Sequence, residues 1–389
     1  MLFALLVIMG CKQKKQSVST DNLQTINVDP RQNSKIKLSN IIDDINIVPL
    51  QTSDSSLLGE ILGIKKVGGK FYIKSSKNVY VFDSKGKFER KLGKNGKGPN
   101  EILAVTNFYI DDKNNTIEIY DGVKSQNILY DLKGNVIQSI KHKFRYGYDF
   151  IKSSKEGYFF YLGFDSDEIG ELIYVRNLEN KEHVDLLPYN ETLSKYIHFG
   201  DLVNFVQNKY GTYFTRSFSN VIYQLGEDNI FPKYNIDFGS RDLPDKILYG
   251  NYGDVREFMM TCLKTNYAFR IIGFYEMKNF IIFGFQYKKK IWNALYDKNS
   301  KKCSVVSYYV DDYFGTGKEI ESSFDLLPKG FNNNKVFLSV DAYKIQEFIL
   351  ACKKSDDIMM QKAFEVIKDK GLDTIKEADN PVILEIKLK

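Results

Sequence analysis

Val79-Tyr-Val-Phe-Asp83-Ser-Lys-Gly86-Lys87 and Ile128-Leu-Tyr-Asp131-Leu-Lys-Gly134-Asn135 are two copies of one pattern. Each is an apolar run ending in Asp, a turn carrying Gly, and a second run, Phe88–Leu92 or Val136–Ile140, which together spell a β-hairpin. The two aspartates lie 48 residues apart, and related runs end near Asn177 and Gln224, at further offsets of 46 and 47. A fifth, Trp292-Asn-Ala-Leu-Tyr-Asp297, follows after 73 residues, one period plus an insertion.

Working outward, a second strand series precedes each of these: Lys70–Lys74, Thr116–Tyr120, Gly157–Leu162, Gly211–Thr215, Asn279–Gly284 and Lys335–Val340. Upstream of each lies another apolar run, at Ile61–Val67, Leu103–Ile110, Tyr148–Lys152, Leu202–Gln207, Phe269–Tyr275 and Phe324–Leu327. Four strands per unit of roughly 47 residues, six times over, predict an all-β chain folded as a six-bladed β-propeller. The sixth unit lacks an outer strand after Pro381–Lys387, while Ile45–Leu50 stands alone before the first unit. Pairing of these terminal runs is expected to close the ring, with Pro49 tolerated on an edge strand.

Two segments break the period. Asp242–Thr265 and Tyr343–Lys370 carry apolar residues at helical spacing, the latter ending at Gly371, and are expected as helical insertions. The first falls between blades and the second between the middle strands of blade six, connections that emerge on the same face of a propeller. Exposed aromatic and cationic side chains near that face, Arg145, Tyr146, Arg216, Phe218, Arg270 and Tyr313, are the candidate ligand-binding residues, since rings beside guanidinium groups suit sugars, peptides and carboxylates. Trp292, the only tryptophan, is expected in the core.

The chain has 389 residues, 43% apolar and 14% aromatic, enough for a large core. Its 55 Lys+Arg and 49 Asp+Glu are interspersed, for a net charge of +6, so no nucleic-acid footprint stands out. Residues 2–10 are apolar or glycine, too short a run to span a bilayer at roughly 20 residues. Ile8-Met9-Gly10-Cys11 reads as a lipobox, making residues 1–10 a lipoprotein signal peptide and Cys11 the lipid-bearing N-terminus. Residues 11–33, polar and without a periodic apolar pattern, are expected as a flexible tether, and 34–389 as the propeller.

Catalytic patterns are sparse. Gly93-Lys-Asn-Gly96-Lys-Gly98-Pro99-Asn-Glu101 is glycine-rich and basic but lacks the ending of a phosphate loop, and reads as an interblade turn. Asp111-Asp112-Lys-Asn114-Asn115 and Asp165-Ser-Asp167-Glu168-Ile-Gly170 alternate hard oxygen ligands without the closing Glu of a calcium loop, and read as turns. His142, His183 and His198 have no metal-binding spacing, and Cys262, Cys303 and Cys352 form no Cys-x-x-Cys pair. No cofactor, metal or catalytic residue is therefore assigned, although acids from several blades could converge in the central channel.

Cys11, the Gly96-Lys-Gly98-Pro99-Asn-Glu101 turn and the terminal Asn380-Pro-Val-Ile-Leu-Glu-Ile-Lys-Leu-Lys389 strand after a helical insertion resemble those of six-bladed β-propeller lipoproteins of Gram-negative bacteria, related in fold to TolB-like and NHL-repeat propellers. The resemblance implies a propeller anchored by lipid in the cell envelope, at the outer membrane, and carries over no catalytic residues. The expected function is a ligand- or protein-binding scaffold whose partner is an envelope protein, glycan or peptide. The alternative is a metal-dependent hydrolase or lyase acting on a glycan or peptide at the central channel.

Overall fold

Val79–Phe82 and Leu172–Val175 are buried at every position, apolar on both faces of the strand, because each lies in a sheet sandwiched between two others. The computed structural model describes residues 23–389 apart from 143–146, 155, 164–168, 179–181, 197–202, 315, 324–325 and 333. Six antiparallel sheets are arranged in a ring as a six-bladed propeller. Blade 1 runs Gly63–Val67, Lys70–Lys74, Val79–Phe82 and Phe88–Leu92; blade 2 runs Asn107–Asp111, Thr116–Asp121, Gln126–Asp131 and Val136–Lys141. Blade 3 comprises Asp149–Lys152, Tyr158–Tyr161, Leu172–Val175 and His183–Leu187, and blade 4 Phe205–Asn208, Gly211–Thr215, Val221–Leu225 and Ile230–Asp237. Blade 5 is built from Phe269–Glu276, Phe280–Tyr287, Lys290–Asp297 and Lys302–Val310.

Three N-terminal strands, β1 (Gln24–Asn27), β2 (Ser34–Lys37) and β3 (Ile42–Pro49), wrap the outer rim. β1 adds in parallel to the outer strand of blade 4 and β2 to that of blade 5. β3 is the outermost strand of blade 6, after Gly330–Asn332, Lys335–Val340 and Val382–Leu388. Its register, Pro49 opposite Val382 and Ile45 opposite Ile386, is the expected closure of the ring. At the adjacent turn, Gly86 has φ +83°, and a Cβ there would lie 2.0 Å from the Pro49 carbonyl oxygen. Only glycine fits.

Every blade-to-blade interface has its own apolar cluster, which is what a closed ring requires. Tyr72, Val81, Ile117 and Ile128 lie between blades 1 and 2, and Tyr120, Phe150 and Phe160 between 2 and 3. Phe159, Phe214 and Phe205 join blades 3 and 4; Tyr213, Phe274 and Phe283 join 4 and 5. Met277 packs on Val336 and Ile386, and Phe337 on Phe71, which completes the circle from blade 5 through 6 to 1. Trp292 is half-buried against the cluster of blades 4 and 5.

The tether boundary and the sixth blade depart from the sequence reading. The tether boundary at residue 33 is too late: Ile26 and Val28 are buried in the interface of blades 4 and 5, so β1 and β2 belong to the propeller. The first described strand of blade 6 is Gly330–Asn332; of the expected Phe324–Leu327, residues 324–325 lie outside the described residues and Leu326 and Leu327 are not in a strand. Pro328, with no N–H to donate, ends the apolar run before the ladder starts, and the pairing runs from Gly330 opposite Phe337. The insertions are helical as expected, with Val255–Lys264 following blade 4, and Ala342–Lys353 and Ile358–Asp369 forming a helical hairpin within blade 6.

Candidate functional site

The first strand of each blade lies innermost, and together they surround a cavity of about 540 Å³. Its lining draws on blades 1, 2, 3, 4 and 6 over most of their inner strands, with Tyr275 from blade 5. The lining runs on to Gly68 and Lys209, residues of the turns between first and second strands. In antiparallel blades those turns emerge opposite the face that carries the helical insertions. On the insertion side a separate small cavity of about 20 Å³ lies among Leu62, Val203, Ile272 and Leu327.

Five lysines, Lys65, Lys66, Lys74, Lys209 and Lys329, line the cavity with a single carboxylate, Asp149. Their partners differ. Lys66 Nζ is bound to both carboxylate oxygens of Glu385 at 3.0 and 2.8 Å, and Lys335 shares that carboxylate at 3.0 Å. Lys74, only 9% exposed, donates to the Thr106 carbonyl oxygen at 2.7 Å. Lys65 donates to the Phe108 carbonyl oxygen, and its Nζ lies 4.7 Å from the centroid of the Phe108 ring. Burial pushes the Lys65 ammonium down to about 8, with Asp149 opposing and Lys74 reinforcing the shift. Burial lowers Lys74 as well, against the pull of Asp149.

Asp149 is held by the fold itself. Its Oδ1 accepts from Asn107 Nδ2 at 2.5 Å and from the Phe150 N–H at 2.8 Å, and its Oδ2 from the N–H groups of Asn204 and Phe205 at 3.1 and 3.2 Å. Burial raises its pKa, partly offset first by Lys74. Asp149 therefore spans blades 2, 3 and 4 as a structural acceptor. Among the described residues, no three His, Cys, Asp or Glu side chains come together as a metal site.

The side chains singled out on the insertion-bearing face do not form one pocket. Arg145, Tyr146 and Cys11 lie outside the described residues. Arg216 reaches across to blade 3, where its Nη1 lies 3.1 Å from Glu171 Oε2, and Glu171 is fully buried. Burial lifts the Glu171 carboxyl to about 7 even with Arg216 opposing it. Phe218 is a correction, because it is buried rather than exposed, stacked on Phe269 at 5.9 Å and against Phe258 of the inserted helix at 4.9 Å. Arg270 sits at a bulge of the inner strand of blade 5 with φ +59°. Tyr313, edge-on to Phe314 at 5.2 Å, joins a separate cluster with Val336 and Ile386.

Other sequence features find structural roles. Glu101 Oε2 accepts from the Gly98 N–H at 2.9 Å, and Lys124 Nζ donates to the carbonyl oxygens of Gly98 and Glu101, so the glycine-rich turn is filled by its own chain. Asp111 accepts from Asn114 and pairs with Lys152 at 2.9 Å, which holds it near 2. His142 is buried, its Nε2 2.6 Å from Asn127 Oδ1. Cys262, Cys303 and Cys352 are all free. Sequence reading missed the lysines because each belongs to a different strand or turn, and no spacing announces that Lys65 and Lys74 face one cavity.

The family described as "Domain of unknown function (DUF4934)" matches residues 23–387. The chain belongs to the DUF4934 family. The start of that match coincides with β1, in agreement with a propeller that begins before residue 34. This DUF4934 chain is similar in structure to a Bacteroides fragilis protein described as exported, with TM-score 0.74, 17% identity, and 94% of this chain and 100% of that one covered. It is also similar to a member of the DUF4221 family from Bacteroides vulgatus, with TM-score 0.51, 12% identity, and 90% and 97% coverage. At these identities the likeness is one of fold. No curated protein matches the sequence. Among the described residues no helix is long and apolar enough to cross a membrane.

Proposed function

We propose that this protein is a binding scaffold of the cell envelope, tethered by lipid on Cys11 and holding its ligand in the central cavity. The observation that carries the reading is the cavity of about 540 Å³, in which inner strands position lysines and amides among apolar side chains. Small-molecule sites are commonly concave, largely preformed and few per protein. The Ile8-Met9-Gly10-Cys11 lipobox and the likeness to a protein described as exported support the location. The outer membrane is the expected address, and the insertion-bearing face remains free to meet an envelope protein, glycan or peptide.

Expression in a Gram-negative host with an alkyne fatty acid, followed by membrane fractionation, tests the anchor. The native chain is expected to take up the label and sediment with outer membranes, and Cys11→Ala to lose the label and become soluble. An unlabelled native chain in the soluble fraction overturns the anchoring.

A further inference from the structure

Among the described residues no carboxylate lies within ion-pair distance of Lys65 or Lys74, and Asp149 acts on both only from farther off. Each ammonium has three N–H donors and one hydrogen-bond acceptor, a backbone carbonyl oxygen. Neither forms an ion pair among the described residues, whereas Lys66, the next residue in the same strand, is bound to Glu385. Asp149 gives neither a hydrogen bond, because both its oxygens accept from Asn107 and three backbone N–H groups. The Asn107 amide is committed as well, to Asp149 and to the Phe150 carbonyl oxygen. Burying a charge without a partner is costly, and the fold holds two of them against one cavity.

We propose that the cavity binds a small organic oxyanion, a carboxylate or a phosphate monoester, seated between the ammonium groups of Lys65 and Lys74. This deepens the reading of the protein as a scaffold with its ligand in the channel. An oxyanion supplies the acceptors that both lysines lack, through charge-assisted hydrogen bonds in a partly desolvated site. The excess of lysines over carboxylates along the lining draws an anion inward, and Lys209, exposed at the turn-side end, stands where it would enter. Phe108 and Tyr275 offer apolar surface to the ligand's uncharged part.

The test measures the thermal midpoint of the purified protein at pH 7 and low salt, with inorganic phosphate, malonate or glycerol, at matched ionic strength. Phosphate or malonate is expected to raise the midpoint saturably, as a ligand that binds only the folded state does, and glycerol to give no saturable rise. A response to phosphate alone or malonate alone identifies the anionic group. Lys65→Met and Lys74→Met are expected to weaken the binding at least about tenfold, and Lys94→Met, on an exposed turn, to leave it unchanged. Acetylation of the unaltered protein, read lysine by lysine by mass spectrometry, needs no variant to fold: the anion protects Lys65 and Lys74 but not Lys94. No saturable effect of either anion, or equal effects in the Met variants, overturns the site. Because lipid labelling of Cys11 does not depend on the cavity, a labelled envelope protein that ignores both anions refutes the oxyanion alone.

Discussion

Asn380 shows how much of the closure rests on one side chain. Its Nδ2 donates to the carbonyl oxygens of Gln51 and Ser56, and its Oδ1 accepts from the Leu58 N–H, each at 2.8 Å, in a site that is 2% exposed. Asn380→Ala removes three hydrogen bonds to backbone groups, of which the Gln51 carbonyl oxygen keeps a bond from Ser56 Oγ, and is expected to cost on the order of 3 kcal/mol, read as a lower denaturant midpoint with an unchanged slope. Glu171 makes a different prediction. Its folded pKa of about 7 lies above the ordinary carboxyl value of 4.5, so the folded state keeps a proton that the unfolded chain releases between those values. Stability from this group therefore rises as pH falls from 7 to 4.5. The difference in thermal midpoint between the native chain and Glu171→Gln should change across that window and be flat above it. Lys65 shifts the other way: its folded value near 8 lies below the ordinary 10.5, so its burial penalty fades as pH rises from 8 to 10.5. Anion binding should weaken over the same rise. None of these roles was legible in sequence, because a polar residue's burial depends on which distant strand covers it.

At the level of elements the hairpins were legible and the strap was not. Alternation and the Asp-Gly turns located the middle strands closely, since Lys70–Lys74, Gly211–Thr215 and Lys335–Val340 begin and end where the pattern puts them. β1 escaped because its surroundings bury just Ile26, Val28 and Pro30 in a polar stretch, too few to make a periodic signal. Ile26 and Val28 nevertheless fill the interface of blades 4 and 5. Removal of residues 1–28 is expected to lower stability by about 3–6 kcal/mol, from burial of about 1.5–3 kcal/mol per aliphatic side chain, while leaving the strand content nearly unchanged. Circular dichroism against temperature measures both. The candidate residues on the insertion-bearing face illustrate the opposite failure. Aromatic rings in a loop read as a surface, but Phe218 found Phe258 on an inserted helix, a contact made by tertiary packing alone.

Across the whole molecule, the count of six blades followed from the period, and closure from the unpaired runs at the two ends. The interfaces are alike in kind, so loss of any one blade opens the ring. The joint in blade 6 is the one made by separate ends of the chain: Asn46 donates to Glu385, 339 residues away. Removing residues 381–389 is expected to expose the edges of β3 and of Lys335–Val340 and to turn a cooperative unfolding transition into aggregation, seen by light scattering. That pairing also carries a consequence for time. The chain is synthesised from β3 toward its partner, so blade 6 stays incomplete until Val382–Leu388 is available, and closing so long a loop is intrinsically slow. Throughout synthesis and any passage across a membrane, the molecule is an open arc with two adhesive ends. A chain that stops before Val382 would thus be harmed as much as one that has lost a blade.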